Sequence, residues 1–360
     1  MAKRTPLYDM HVKYGGQIVD FAGYELPVQY EGLGVIKEHI AVRTQAGLFD
    51  VSHMGELVIS GENAEAAVNN LITNEVRTMY DGQVKYSLMP NDKGGIVDDV
   101  LVYKVSGTCF LLVVNASNVE KDANWVSSRL PEGVSFANIS DSVSQLALQG
   151  PNSAAIIRKL ASEESIPTKY YTFNKDVVVA GKHCLVSRTG YTGEFGYEIY
   201  CANEDACYLY EALMEAGKEE GLVPAGLGAR DTLRFEAAMP LYGHELGEDI
   251  YANETGLGFC IKMAKENFVG KAALEAHAPE YERVGAKLID RGIARENCPV
   301  YLGDEQVGYV TSGTHSPTLG YPVAMLRIKK GIEGQLTVDV RGRRLKIERV
   351  PLPFYSRPQN

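Results

Sequence analysis

The sequence has no long apolar run, few cysteines and no excess of positive charge, and each shortage argues against a class of protein. No apolar stretch approaches the ~18 residues that a helix needs to cross a bilayer; the longest, such as residues 110–114, are the length of a strand. Six cysteines in 360 residues are too few for a disulfide scaffold. A net charge of −10 argues against non-specific binding of nucleic acid by the whole surface.

Several catalytic signatures are missing as well. The sequence contains no Gly-x-x-x-x-Gly-Lys-Ser/Thr loop, no Gly-x-Gly-x-x-Gly after a strand, no Gly-x-Ser-x-Gly elbow and no His-Glu-x-x-His helix. His53 has no second histidine at metal-ligand spacing, so a polar turn or a core position is expected for it and no metal is predicted. The N-terminal residues resemble neither a secretory signal nor a transit peptide, and unpaired thiols suit a reducing compartment, so the cytoplasm is expected.

Hydrophobic periodicity predicts an α+β, multidomain protein of mixed, antiparallel sheets. Apolar residues at helical spacing predict helices after Gly61, after Asn118 and from about Asn203 to either Gly217 or Gly221. Two pairs of short β-branched runs, each pair joined by a tight polar turn, predict hairpins. These pairs are residues 100–105 with 109–114, and residues 177–180 with 184–187.

The last part of the chain predicts an all-β domain. From Val284 onward the helical period disappears, and short apolar runs alternate with Gly, Asp and Pro turns, which is typical of a small barrel or sandwich. The runs are residues 284–289, 306–311, 323–328, 336–340 and 345–350. We expect two α+β domains over residues 1–150 and 151–224 and a C-terminal barrel-like domain over 279–360. If the first domain is discontinuous, about 225–278 returns to it.

Two neighbouring acids, Asp98 and Asp99, follow a diglycine inside an otherwise apolar strand, where aspartate is disfavoured. Because strand side chains alternate, the two must point to opposite faces, and at most one naturally faces an interior pocket. One of them serves either as a proton acceptor or cation stabiliser, or both stabilise a turn.

Two further segments carry candidate binding residues. Residues 187–199 interleave three glycines with aromatic residues, a composition that lets a planar ligand approach the backbone before Glu198 opens a strand; the alternative is a plain turn with Glu198 in solvent. In residues 224–237, Asp231 has the character of a helix N-cap, which would place Arg230 at a helix entrance. Arg230 then binds a carboxylate or carbonyl of a ligand, or bridges to an internal acid.

The C-terminal segment from Arg327 is basic, with nine Lys or Arg residues against three acids. Such a cluster is either a solvated strand face or a docking surface for an acidic partner or an anionic ligand tail.

At these segments the sequence resembles the glycine cleavage T-proteins, the folate-dependent aminomethyltransferases. The similarity extends over nearly the whole chain and includes Phe-Asp-Val-Ser-His-Met-Gly at residues 49–55 and Gly-Gly-Ile-Val-Asp-Asp at 94–99. The other matching segments are residues 5–8, 19–23, 188–194, 226–230 and 311–320. The resemblance implies three domains around a central hole that binds tetrahydrofolate.

By position, the resemblance implies a catalytic role for Asp99 and pterin binding by Glu198, whose carboxylate accepts two parallel N–H bonds. Arg230 and Tyr355 match further substrate-binding positions. Four more residues match positions lining the folate or its entry path. These are Met54, Tyr86, Asn115 and Tyr191.

The implied reaction moves a methylene from the aminomethyl-lipoyl arm of H-protein to tetrahydrofolate. The products are 5,10-methylenetetrahydrofolate, ammonia and dihydrolipoyl H-protein. The partners implied are H-protein, typically acidic, and folate, with a monomer that docks transiently. Demethylating oxidases of this fold need a flavin domain for which the chain has no dinucleotide fingerprint. The alternative is a folate-binding accessory protein of iron–sulfur cluster assembly, whose Lys-Gly-Cys signature is absent at residues 238–245.

Overall fold

The computed structural model describes residues 2–358, and these residues form eight α-helices and twenty strands. The helices are α1 (Tyr8–Lys13), α2 (Gly34–Thr44), α3 (Ala64–Leu71), α4 (Val119–Ser127), α5 (Ser153–Ile157), α6 (Asn203–Ala216), α7 (Leu227–Glu236) and α8 (Lys271–Ala276). The strands are β1 (Lys3–Arg4), β2 (Gly16–Phe21), β3 (Tyr24–Tyr30), β4 (Ala46–Asp50), β5 (Gly55–Ser60), β6 (Val84–Pro90), β7 (Ile96–Ser106), β8 (Cys109–Val114), β9 (Ser135–Asn138), β10 (Val143–Gln149), β11 (Phe173–Val179), β12 (Lys182–Ser187), β13 (Gly196–Ala202), β14 (Leu222–Pro224), β15 (Tyr281–Leu288), β16 (Pro299–Leu302), β17 (Glu305–His315), β18 (Pro322–Lys329), β19 (Leu336–Val340) and β20 (Arg343–Val350).

The chain divides into two compact units. The first unit comprises Met1–Ser87 and Val100–Asp231, and the second comprises Leu88–Asp99 and Thr232–Asn360. Strands β6 and β7 run through the points of division, so each contributes residues to both units. The three-domain division inferred from the sequence stays a prediction.

The first unit is built mainly on two sheets. A six-stranded sheet has the order β11-β12-β13-β10-β4-β14, and a five-stranded sheet has the order β6-β7-β8-β5-β9. A small third sheet, β1-β3-β2, lies near the N-terminus. Most neighbouring strands pair antiparallel, and the pairing of β14 with β4 is parallel. The mixed, largely antiparallel α+β class predicted from the sequence is confirmed.

The six-stranded sheet has one apolar face and one polar face. Leu146 and Leu148 of β10 and Ile199 of β13 belong to an apolar core that also includes residues of α6. Because side chains alternate, the opposite face carries Gln145 of β10 beside Tyr200 of β13, which are register partners. The polar face therefore lies on the side away from the main core.

A second apolar cluster joins the two large sheets on that polar side. It contains Tyr103 of β7 and Val113 of β8 from one sheet, and Phe173 of β11 and Tyr200 of β13 from the other. Packing of the two sheets thus brings polar groups of β7, β10 and β13 into a largely dry interior.

The second unit contains a closed barrel with the strand order β15-β18-β17-β16-β19-β20. Its centre is filled by buried aliphatic side chains such as Ala286, Val300 and Leu326. The barrel predicted from the sequence is confirmed, but the sequence analysis missed β16. Its apolar run is only four residues long and begins with a proline, which weakens the strand signal.

The predicted helices and hairpins of the first unit are also present. Helices α3, α4 and α6 match the three periodic segments, and β7–β8 and β11–β12 pair as predicted. The sequence analysis made no prediction for α2 or for the β2–β3 hairpin, which the structure adds.

Candidate functional site

Glu198 lies on the polar face of the six-stranded sheet, in the middle of β13. Its side chain is buried, with the residue only 6% exposed, and it accepts a hydrogen bond from the Thr189 hydroxyl. The interpretation of Glu198 as a solvent-facing turn residue is therefore wrong. A nearly dry carboxylate is costly unless donors and positive charge surround it.

Burial raises the pKa of Glu198 above its ordinary value, and three neighbours oppose this effect. They are the hydrogen bond from Thr189, the charge of Arg230 and a hydrogen bond from Gln145. The surrounding groups thus stabilise the ionised carboxylate against its desolvation.

The loop before Glu198 is shaped around the side chain of Gln149. The Gln149 amide donates to the Thr189 carbonyl at 3.1 Å and accepts from the Thr192 hydroxyl at 2.8 Å. A Cβ atom built at Gly190 or Gly196 would overlap this amide, so both positions require glycine. Two of the three glycines of this loop thus make room for a buried glutamine, and the approach of a ligand to its backbone stays a prediction.

Arg230 lies in the first turn of α7, half-buried, with its guanidinium carbon 4.7 Å from the centre of the Tyr191 ring. The predicted N-cap at Asp231 is wrong, because α7 already begins at Leu227 and the Arg230 N–H donates to the Gly226 carbonyl. Arg230 acts electrostatically on Glu198, as expected for a cation near an internal acid.

His53 is buried in the core, one of the two positions expected for it from the sequence. It is 2% exposed and packs edge-on against Phe21, with ring centroids 5.7 Å apart. Burial, reinforced by the charge of Arg230, lowers the pKa of His53 to about 4, so the ring is neutral at neutral pH.

The remaining predicted lining residues of the first unit lie at strand ends or on strands of the five-stranded sheet. Met54 directly precedes β5 and contacts the cluster between the sheets; Tyr86 lies on β6, and Asn115 directly follows β8. All three are half-buried. Because Gly55 pairs with Val114, Met54 and Asn115 lie at the same end of this sheet.

Asp99 lies on β7, within the part of the strand that belongs to the second unit. It is half-buried, whereas Asp98 on the opposite face is 0% exposed. Asp99 raises the pKa of the Cys260 thiol, although burial is the main cause of that shift. Alternation along β7 places Asp99 on the strand face that Leu101 and Tyr103 share.

Tyr355 lies in the second unit, where its N–H donates to the Glu236 carbonyl at 2.9 Å. The eight predicted site residues thus fall into two groups, each in its own unit. Asp99 and Tyr355 belong to the second unit; Met54, Tyr86, Asn115, Tyr191, Glu198 and Arg230 belong to the first.

Sequence reasoning missed Glu56 of β5, a buried acid whose carboxyl group lacks hydrogen-bond partners within residues 2–358. It is 1% exposed, and neither carboxyl oxygen has a hydrogen-bond partner among the described residues. Burial alone raises the pKa of Glu56 to about 9, so the folded protein holds it as a neutral acid at neutral pH. The sequence offered one indication, because Glu56 is the only acid in the otherwise apolar segment Gly-Glu-Leu-Val-Ile of β5.

Glu56 makes stability depend on pH. In the unfolded chain this carboxyl ionises near its ordinary value of 4.5, whereas in the folded chain it keeps its proton up to about pH 9. Unfolding therefore releases a proton between these values, and stability falls as pH rises through that window. Glu56→Gln, which cannot ionise, should match the unaltered protein near pH 5 and exceed it by about 2–4 kcal/mol near pH 8.

Urea unfolding at the two pH values measures this difference. Glu62→Gln, at an exposed position, is the control and should show no pH-dependent gain. Equal pH dependence of Glu56→Gln and the unaltered protein would contradict the assignment of a buried neutral acid.

Fold and site define a multidomain α+β protein with a closed six-stranded C-terminal barrel and a buried carboxylate, Glu198, on the polar face of its six-stranded sheet. Among residues 2–358, no three His, Cys, Asp or Glu side chains are grouped as a metal site would require. Within the same residues, no helix is long and apolar enough to span a membrane.

The chain belongs to the glycine cleavage T-protein family. The family model described as the GCVT N-terminal domain matches residues 7–265, and the glycine cleavage T-protein C-terminal barrel domain matches residues 282–356.

Relatives similar over their full length include curated proteins named aminomethyltransferase. One from Geobacillus sp. (strain WCH70) is 48% identical over 99% of this chain and 100% of its own length. One from Bacillus cereus (strain ZK / E33L) is 48% identical over 99% of this chain and 98% of its own length. The crystal structure of the glycine cleavage system aminomethyltransferase T from Bartonella henselae is similar with a TM-score of 0.90, at 30% identity and 99% coverage of both chains. These relatives do not favour the accessory-protein alternative.

Proposed function

We propose that the chain is an aminomethyltransferase of the glycine cleavage system. It transfers the methylene of the aminomethyl-lipoyl arm of H-protein to tetrahydrofolate and releases ammonia. The single observation that carries the proposal is the similarity at 48% identity over 99% of the chain to proteins named for this activity. The products are 5,10-methylenetetrahydrofolate and dihydrolipoyl H-protein.

Tetrahydrofolate is the proposed ligand of Glu198. A pterin presents an amino group and a ring N–H side by side, and an ionised carboxylate accepts both at once. The burial of Glu198 and the donors around it support this pairing. Arg230 on the Tyr191 ring gives a charged, flat surface suited to an aromatic ligand, and Met54, Tyr86 and Asn115 are proposed to line the ligand or its entry path.

Asp99 is the proposed catalytic residue. Its half-buried carboxylate is able to orient a reacting nitrogen, to take up a proton or to stabilise positive charge as ammonia leaves. Tyr355 is proposed as a further substrate-binding residue.

An ammonia-release assay tests the activity. Aminomethylated H-protein is incubated with the full chain, with and without tetrahydrofolate. Rapid release of ammonia that depends on tetrahydrofolate is expected. Tight folate binding without such release would overturn the proposed transfer and favour a binding protein.

The acidic H-protein is proposed to dock on the β19–β20 hairpin of the barrel. Four of the nine C-terminal cations form ion pairs with neighbouring acids. These four are Arg327, Lys329, Arg344 and Arg349. Of the other five, Arg341, Arg343 and Lys346 are exposed on the β19–β20 hairpin and give it a positive surface.

Replacing Arg341 and Arg343 by Glu should raise the apparent KM for H-protein and weaken its salt dependence. Turnover at saturating H-protein should stay unchanged, because these residues act in encounter rather than chemistry. Lys175→Glu with Lys218→Glu changes the charge equally at exposed positions of the first unit and serves as the control. Loss of folate affinity at an unchanged KM for H-protein would instead assign the hairpin to the folate tail.

A further inference from the structure

A closed set of buried hydrogen bonds surrounds Glu198 within the first unit. The Gln145 amide lies 3.0 Å from the Tyr200 hydroxyl, which lies 2.9 Å from the Tyr103 hydroxyl. Tyr103 is 3.5 Å from the Thr189 hydroxyl, which bonds Glu198. All five residues are at least nine-tenths buried.

The direction of each bond follows from the chemistry of its members. An ionised carboxylate can only accept hydrogen bonds, so the Thr189 hydroxyl donates its single proton to Glu198. The Thr189 oxygen can therefore only accept hydrogen bonds from its other neighbours. The Gln145 NH2 group donates to the Tyr200 hydroxyl, and the Gln145 side chain also favours the ionised form of Glu198.

The tyrosine and serine hydroxyls connect Gln145 to Thr189 through further hydrogen bonds. Tyr200 accepts from Gln145, and its bond with Tyr103 raises the pKa of Tyr200 and lowers that of Tyr103, the effects expected when Tyr200 is the donor. Tyr103 has one proton and two hydroxyl neighbours, Thr189 at the long distance of 3.5 Å and Ser187, which lies 2.8 Å from Thr189. The path is continuous when Tyr103 donates to Ser187 and Ser187 donates to Thr189. With these directions, the hydroxyl protons lie along one path that begins at Gln145 and ends on the Glu198 carboxylate.

We propose that Gln145, Tyr200, Tyr103, Ser187 and Thr189 are positioning residues that form a one-directional chain of hydrogen bonds, which holds the Glu198 carboxylate ionised and oriented for its ligand. The proposal rests on the proposed function, because it takes the ligand to be a pterin that donates two N–H bonds to Glu198. Hydrogen bonds in such a chain polarise one another, so the last donor is stronger than an isolated hydroxyl.

Other charged groups near Glu198 also influence whether its carboxylate is ionised. Arg230 of α7 favours the ionised carboxylate, whereas its burial disfavours it. Glu56 of β5 is close enough to Tyr200 to raise the pKa of that phenol further, although burial is the main cause. Because the folded protein holds Glu56 neutral, this residue adds no competing negative charge at neutral pH.

The test combines two readouts on the full-length protein. The first is the ionisation of Glu198 without ligand, followed by 13C NMR of labelled glutamate side chains and assigned with Glu198→Gln. The second is the dissociation constant of tetrahydrofolate across the pH range in which Glu198 titrates. Tyr30→Phe is the control, because it removes a buried phenol of the same unit that bonds His11 instead.

Tyr200→Phe and Tyr103→Phe should each raise the pKa of Glu198 by about 0.3 to 0.5 and shift the pH profile of folate binding by the same amount. Thr189→Val should shift both by about one pH unit, because a bond to the charged group itself is lost, and Thr189→Ser should restore them. Tyr30→Phe should shift neither.

The proposal would be overturned if Tyr200→Phe and Tyr103→Phe matched Tyr30→Phe in both readouts. Failure of the proposed function has a different signature. In that case tetrahydrofolate does not bind the unaltered protein, while the NMR titration of Glu198 still decides whether the chain controls its ionisation.

Discussion

Asp99→Asn is expected to lower methylene transfer by at least about 100-fold while the fold and the affinity for tetrahydrofolate are retained. This is the scale of a positioned acid–base or electrostatic group. As ammonia leaves, the aminomethyl carbon becomes electron-poor, and a negative charge stabilises that state where a neutral amide does not. Asparagine keeps the shape of the side chain, so the change removes charge and basicity rather than packing.

Asp98→Asn is the matched control for this experiment. The two acids are neighbours on β7, but Asp98 is fully buried on the opposite face of the strand. Its replacement should act on thermal stability and change turnover much less than replacement of Asp99. Single-turnover transfer, measured with both substrates bound, separates chemistry from binding. Equal rates for Asp99→Asn and the unaltered protein would remove Asp99 from the mechanism.

Glu198→Gln is expected to weaken tetrahydrofolate binding by about 1.5–3 kcal/mol, or roughly 10- to 150-fold in Kd. The carboxylate is buried and receives donors from Thr189 and Gln145. A glutamine keeps one acceptor but turns an NH2 group towards donors of the protein or the ligand. One charge-assisted pair is thereby replaced by a contact between two donors.

Calorimetric titration with tetrahydrofolate measures this loss. Glu204→Gln, at an exposed position in the first turn of α6, is the control and should leave Kd unchanged. An unchanged Kd for Glu198→Gln would reject the pairing with the pterin and leave Glu198 as a structural acid of the interior.

Local patterns predicted those parts of the fold that depend on neighbouring residues. Helical spacing found α3, α4 and α6, and the regular turn spacing found the barrel. The start of α7 was placed too late, at Asp231, whereas the helix begins at Leu227. Just before it, the N–H of Gly226 donates to the carboxylate of Glu38 on α2 at 2.9 Å, a contact with a residue distant in sequence that no local pattern indicates.

The candidate site also contains residues that the sequence could indicate and residues that it could not. Glu198, Arg230 and Asp99 were candidates from the sequence because they lie in or beside segments that resemble the glycine cleavage T-proteins. Their supporting groups were missed because Tyr103, Gln145 and Thr189 lie far apart in the chain, on β7, on β10 and after β12. Only the register of β10 with β13 and the packing of two sheets bring them together.

The most direct test of the account follows the carbon atom itself. H-protein carrying a 13C-labelled aminomethyl group on its lipoyl arm is mixed with the full chain and tetrahydrofolate, and the products are separated. The account predicts one labelled methylene on tetrahydrofolate for each ammonia released, with dihydrolipoyl H-protein as the other product. Label that stays on H-protein, or leaves as free formaldehyde at the same rate with and without tetrahydrofolate, would contradict it.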